Sequence, residues 1–209
     1  YPVSALHGRG VADMLDAAMK VLPKISNVAK QEVGGPRRVA LIGRPNVGKS
    51  SLINALANRK QLAKVSNTPG RTQLINLFET PSKGTIVDLP GYGYAKVPGR
   101  IRAGWEKMIV GYLLEREELE MVFVLVDGEI GPTKLDVQML EHLRENEVPH
   151  TIVATKHDKV KSSKRETRKR DLAAGCEVAQ KDVMWVSASS GVGIDSLRNA
   201  VNGILGKAK

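Results

Sequence analysis

A chain of 209 residues with 32 Lys and Arg against 22 Asp and Glu has material for one sizeable domain, and its net charge of +10 favours a polyanionic partner such as RNA. At 42% hydrophobic and 26% charged it has the composition of a globular protein, and no apolar run approaches the roughly 20 residues of a membrane-spanning helix. The single cysteine, Cys176, excludes a disulfide framework, and 4% aromatic residues argue against a base-stacking surface for single strands. Residues 1–30 are amphipathic and charged, unlike a secretory leader, so a cytoplasmic location is expected.

Residues 1–22 hold a partial repeat. Val3-Ser4-Ala5-Leu6-His7-Gly8-Arg9-Gly10-Val11 matches Val186-Ser187-Ala188-Ser189-Ser190-Gly191-Val192-Gly193-Ile194 at one constant offset. The register continues into apolar positions, pairing Met14 with Leu197, Ala17 with Ala200, Val21 with Ile204 and Leu22 with Leu205. The segment reads as the closing helix of a preceding copy of the domain. Residues 23–36, punctuated by Pro23, Gly34, Gly35 and Pro36, read as linker. The domain proper is expected over 37–209.

Its first strand is expected at 38–42 and its first helix at 49–57. Between them stands Gly43-Arg44-Pro45-Asn46-Val47-Gly48-Lys49-Ser50, a G-x-x-x-x-G-K-S loop in strand–loop–helix context. The glycines let the backbone wrap an anion with N–H groups inward, and the helix start adds its positive dipole end. The phosphate-binding set is Asn46, Val47, Gly48, Lys49, Ser50 and Ser51. Lys49 can reach the β- and γ-phosphates of a nucleoside triphosphate, and Ser50 can ligate Mg²⁺.

Residues 58–72 read as an exposed loop with Asn67, Pro69 and Gly70 as breakers. Strands at 74–79 and 85–88 form an antiparallel hairpin around Pro81-Ser82-Lys83-Gly84. Asp88-Leu89-Pro90-Gly91 follows, a carboxylate that can hold Mg²⁺ through water and a glycine amide that can donate to a γ-phosphate. Residues 102–115 have helical spacing, with Trp105, Met108, Ile109, Tyr112 and Leu113 on one face as core. Residues 121–126 form a continuous apolar run, the mark of a strand buried on both faces. A helix over 135–144 and a strand over 150–154 come next.

That strand ends in Thr155-Lys156-His157-Asp158. A carboxylate there can accept hydrogen bonds from guanine N1 and N2, a donor pair that adenine lacks, and the Lys156 stem can lie along the nucleotide. Residues 159–170 carry seven Lys and Arg, read equally well as a solvated helix face or an RNA contact. Strand 184–187 leads into Ser187-Ala188-Ser189, whose backbone amides can touch guanine O6. A helix over 195–205 closes the domain. Six strands alternating with helices imply an α/β fold, a mainly parallel sheet with helices on both faces. Every motif loop follows a strand, so all should gather at one sheet edge.

Residues 43–50, a threonine near Thr72, 88–91, 155–158 and 187–189 occur in the order of a GTPase G domain. Over about 61–206 the chain resembles the EngB (YihA/YsxC) family of bacterial GTPases. The likeness is carried by Thr68-Pro69-Gly70-Arg71-Thr72-Gln73-Leu74-Ile75-Asn76, by Asp88-Leu89-Pro90-Gly91-Tyr92-Gly93-Tyr94-Ala95 and by the T-K-x-D form. Residues 1 to about 57 resemble the junction between the two G domains of the tandem GTPase EngA (Der), through Val3 to Met14, the linker and Gly43-Arg44-Pro45-Asn46.

The resemblance implies a P-loop NTPase G domain, a monomer that hydrolyses GTP with Mg²⁺ and assists maturation of the large ribosomal subunit. It assigns Thr72 as the switch-one Mg²⁺ ligand, with Thr68 the alternate. Lys49, Thr72 and Gly91 become the catalytic set; Ser50, Thr72 and Asp88 become the metal set. Tyr92 occupies the position where many GTPases place a water-orienting glutamine, which implies slow turnover without an activator. Asn46 matches the P-loop asparagine that helps hold K⁺ in potassium-activated relatives. The alternatives are a GTP-binding module with negligible hydrolysis, an adenine-specific NTPase, and an engineered or chimeric G domain with no distinct cellular role.

Overall fold

The computed structural model describes residues 36–59, 61–63, 74–81, 84–93 and 99–206, with backbone alone over 99–106. The chain divides between Gly35 and Pro36, and the unit beginning at Pro36 is the one described. The repeat at 1–22, the linker up to residue 35, Thr68 and Thr72 therefore lie outside the described residues.

Strand β1 (Arg38–Gly43) is buried at all six positions. It lies between β3 (Thr85–Asp88) and β4 (Leu119–Asp127), parallel to both. The sheet continues through β5 (His150–Thr155) to β6 (Val183–Trp185), again in parallel, while β2 (Asn76–Glu79) pairs antiparallel with β3 at the other edge. The order is β2-β3-β1-β4-β5-β6. Consecutive strands β3 and β4 thus flank β1 on opposite sides, which puts the topological switch point at the strand that carries the P-loop.

Alternation along the strands sorts the core into two layers. Val39, Leu41, Phe123, Leu125 and Val153 face α1 (Lys49–Leu56) and α5 (Ile194–Leu205), where Leu52, Ile53, Leu197 and Val201 meet them. Ala40, Ile42, Val122, Val124 and Ala154 face the opposite layer, α2 (Gly99–Glu115), α3 (Lys134–Glu145) and α4 (Arg165–Gly175), through Ile109, Leu113, Leu140 and Leu172. Burial on both faces is why these strands read as unbroken apolar runs.

The elements depart from expectation at their ends. β2 starts at Asn76, not Leu74, because Asn76 pairs with Asp88 and β3 goes no further. Leu74 is left 71% exposed. β6 ends at Trp185, and the Ser187 amide donates instead to Val192 O at 2.8 Å. The basic segment is a 3-10 turn at Ser162–Lys164 followed by α4.

Two side chains tie the P-loop helix to its surroundings, one its own and one from α5. The buried Asn54 amide donates to Ala63 O at 2.9 Å and accepts from Ala63 N at 2.7 Å, pinning the chain that leaves α1. Arg198 of α5 donates to Leu56 O (3.0 Å) and Ala55 O (2.8 Å). It satisfies carbonyls at the helix's C-terminal end, which has no basic residue of its own in the last turn.

Candidate nucleotide-binding site

The P-loop leaves β1 at Gly43, where a Cβ would come within 2.8 Å of Leu125 O on the neighbouring strand. Asn46 (φ 64°) and Gly48 (φ 90°) both adopt left-handed backbone, which turns the loop before α1 begins at Lys49. Asn is among the few non-glycine residues that tolerate that conformation, so loop geometry alone accounts for the residue type at 46. A Cβ on Gly48 would meet nothing within 4 Å, so its backbone borders open space.

Register brings the phosphate-side groups together. Leu41 of β1 pairs with Asp88 of β3, placing that carboxylate beside the P-loop. Lys49 Nζ lies 2.8 Å from Asp88 Oδ1 and also contacts the Leu89 carbonyl oxygen. Among the described residues, Asp88 Oδ1 is buried with no partner besides the Lys49 ammonium that it faces. Burial pulls the Lys49 pKa down, opposed by the Asp88 charge and hydrogen bonding. Gly91 packs on the loop itself: a Cβ there would stand 2.9 Å from Gly43 O and 3.4 Å from Pro45 N.

These residues fit Mg²⁺. A buried carboxylate oxygen faced by Lys49, and the half-buried Ser50 that follows Lys49 at the start of α1, are the few hard oxygen ligands that this ion takes from protein when phosphates supply the rest. Among the described residues no group of three or more His, Cys, Asp or Glu could hold a metal ion.

A cavity of about 210 Å³ opens beside the P-loop. Val47, Gly48, Ser51 and Leu52 wall one side of it. The loop after β5 contributes Thr155, Lys156, Asp158 and Lys159, and the loop after β6 contributes Val186, Ala188 and Ser189. Of the base-reading residues expected from sequence, Thr155, Lys156, Asp158, Ala188 and Ser189 meet in one pocket, with Leu52, Lys159 and Val186 added. Lys159 and Leu52 carried no motif, and burial at Leu52 follows only from its place on α1.

Ser187 departs from expectation, and Thr155 has a further contact. Ser187 is 0% exposed, does not line the cavity and has its amide committed to Val192 O, so it does not offer that amide to a ligand. Its hydroxyl instead donates to Asp158 Oδ1 at 2.7 Å. That hydrogen bond, helped by Ser189 and by the Lys159 charge against partial desolvation, holds the Asp158 carboxyl below the usual carboxylate range. Thr155 lines the pocket, but its hydroxyl donates to Val47 O at 2.7 Å, tying the β5 loop to the P-loop. Lys156, at φ 57°, stretches past the pocket to Asp127 Oδ2 at 2.6 Å. Asp127 Oδ1 accepts the Glu129 and Ile130 amides, which fixes the anchor that holds Lys156.

One cluster escaped the sequence reading. Asp136, 0% exposed, accepts Tyr92 Oη at 2.7 Å on Oδ1 and Arg44 Nε at 3.0 Å on Oδ2. Its Oδ2 also accepts the Thr133 amide and hydroxyl in the capping box of α3. Thr133-x-x-Asp136 was a legible capping signal, but nothing local pointed to Arg44 or Tyr92.

Residues 38–156, from β1 through Lys156 of the base pocket, match the family of 50S ribosome-binding GTPases. An EngB GTP-binding protein of Pelotomaculum thermopropionicum is 53% identical over 140 residues, covering 67% of this chain and 71% of its own. The chain belongs to the EngB family of GTPases. An EngB protein of Desulforamulus reducens is 45% identical over 176 residues, 83% of this chain and 86% of its own. That match is too long to fit within 61–206, so the EngB likeness runs back through the P-loop into the stretch that also resembles EngA. A crystal structure of an EngB GTP-binding protein superposes with a TM-score of 0.66 at 26% identity, covering 80% of this chain and 98% of that one. This EngB-family chain is a GTP-binding, GTP-hydrolysing G domain, with GTP and GDP as its ligands.

Proposed function

We propose that this EngB-family GTPase is a guanine-specific switch that assists assembly of the large ribosomal subunit in the cytoplasm, acting as a monomer. The observation that carries the base assignment is the Ser187–Asp158 hydrogen bond, which holds an ionised carboxylate at the rim of the pocket. The ribosomal assignment is supported by the family match and by the net charge of +10, with Lys161, Lys164 and Arg170 exposed.

In this reading the P-loop amides of residues 46–51 hold the phosphates, and Lys49 exchanges part of its contact with Asp88 for the β- and γ-phosphate oxygens. Ser50, Asp88 and Thr72 hold Mg²⁺, which supplies charge neutralisation across the phosphates when bound. The Gly91 amide reports the γ-phosphate, and its seat against Gly43 and Pro45 supports that role. Tyr92 is buried and turned to Asp136, so its hydroxyl does not replace a water-orienting glutamine, in keeping with slow turnover until an activator binds. Asn46 as a K⁺ ligand is a separate proposal, and equal turnover in sodium and potassium buffers contradicts it. The repeat supports reading residues 1–22 as the closing helix of a preceding G domain.

Cosedimentation with purified large subunits, in the presence of a non-hydrolysable GTP analogue or GDP, tests the switch. The expected result is salt-sensitive binding that favours the analogue. Equal binding with both nucleotides contradicts it.

A further inference from the structure

Gly91 and Gly43 meet backbone to backbone at the phosphate side of the site, and their sequence neighbours Tyr92 and Arg44 end on one side chain. Tyr92 donates to Asp136 Oδ1 (2.7 Å) and Arg44 Nε to Asp136 Oδ2 (3.0 Å). Asp136 itself cannot drift, because Thr133 donates to the same Oδ2 from its amide (2.8 Å) and hydroxyl (2.7 Å). All three members are shielded from water to differing degrees: Asp136 is 0% exposed, Tyr92 8%, and the Arg44 side chain 23%. A carboxylate in such surroundings is a strong anchor, since hydrogen bonds to a charged group are the stronger class and losing a partner leaves a buried charge short of donors.

We propose that Asp136 is a positioning residue that clamps Gly91 onto the P-loop, so that the chain holds the loop after β3 in the arrangement that favours GTP over GDP. It does so at one remove. Asp136 touches neither phosphate nor base; it fixes Arg44 and Tyr92, and these fix the two backbones in contact. The inference rests on the reading of Gly91 as the γ-phosphate donor. It also assigns the Tyr92 side chain a task that the glutamine of other GTPases does not have at this position.

The test measures affinities of the full chain for a non-hydrolysable GTP analogue and for GDP, with Mg²⁺, in four proteins: wild type, Tyr92→Phe, Asp136→Asn and the double variant. Tyr92→Phe keeps the buried ring and removes only the hydroxyl, so the fold is retained; a thermal melt checks this for each variant. The expected result is a loss of about tenfold for the analogue in Tyr92→Phe, with GDP affinity unchanged, as befits one hydrogen bond to a charged acceptor. The double variant should lose no more than Asp136→Asn alone, because the two act through one bond. If Tyr92→Phe leaves the analogue-to-GDP ratio at the wild-type value, or lowers both affinities alike, the clamp is overturned and the residue is structural. Gly91→Ala separates the two levels. A shifted ratio in Gly91→Ala with none in Tyr92→Phe removes Asp136 alone, whereas no shift in Gly91→Ala removes the γ-phosphate reading and the clamp with it.

Discussion

Ser187 donates from its buried hydroxyl to Asp158 Oδ1 at 2.7 Å, so the carboxylate at the mouth of the base pocket is oriented by a residue that does not line it. Ser187 Oγ also accepts the Ser190 amide at 3.1 Å and lies 3.0 Å from Ser189 Oγ, which leaves it one orientation to adopt. The carboxylate proposed to read the base is thus set by the β6 loop as much as by its own strand.

Ser187→Ala should therefore weaken GTP and GDP binding to the same extent, by about tenfold, since it frees a side chain proposed to hold the base of both nucleotides. It should also raise the Asp158 pKa toward the ordinary carboxylate value. The folded-state pKa is depressed, so the stability this group contributes is present above the ordinary carboxylate value and is lost as pH falls through the folded one. Carboxyl-carbon NMR titration of Asp158 in the two proteins checks the shift. An unchanged midpoint in Ser187→Ala removes the hydrogen bond as its cause.

Asn54→Ala should destabilise the domain by about 2–4 kcal/mol, because both bonds to Ala63 go and leave buried backbone groups without partners. Denaturant unfolding measures it. The same variant should loosen the chain that leaves α1 toward residue 63, seen as faster amide exchange at Ala63. A loss below about 0.5 kcal/mol would show that water replaces the amide at no cost.

Cys176 is 1% exposed, and burial pushes its thiol up to about 11. Native protein at pH 7.5 should resist alkylation, and labelling should appear only with unfolding, since the thiolate is the reactive species. Rapid labelling of the folded chain contradicts the packing of α4 described above.

The strands and their order along the chain were legible because burial on both faces leaves no polar position from Val39 to Ile42 in β1 or at the heart of β4. The placing of Asp88 and Gly91 beside the P-loop, and of Asp158 in a pocket next to it, was legible because each lies in a loop that follows a strand of one sheet. Ser187's true task was not, since a serine in a loop gives no sign of whether its amide or its hydroxyl is engaged. Asp136 was less legible still: its partners lie 92 and 44 residues away, and only the placing of β3, β1 and α3 in space brings them together. The late start of β2 followed from where β3 stops, and the early end of β6 from the turn that takes the Ser187 amide to Val192 O, neither of which local pattern encodes.

The central claim, a guanine site read by Asp158, is tested most directly by the affinities of wild type and Asp158→Asn for GTP and xanthosine triphosphate. Xanthine carries an oxygen where guanine carries its exocyclic amine, so an amide side chain can donate where the carboxylate accepted. The account predicts that wild type prefers GTP and that Asp158→Asn prefers xanthosine triphosphate. A variant that keeps the wild-type preference for GTP would contradict it.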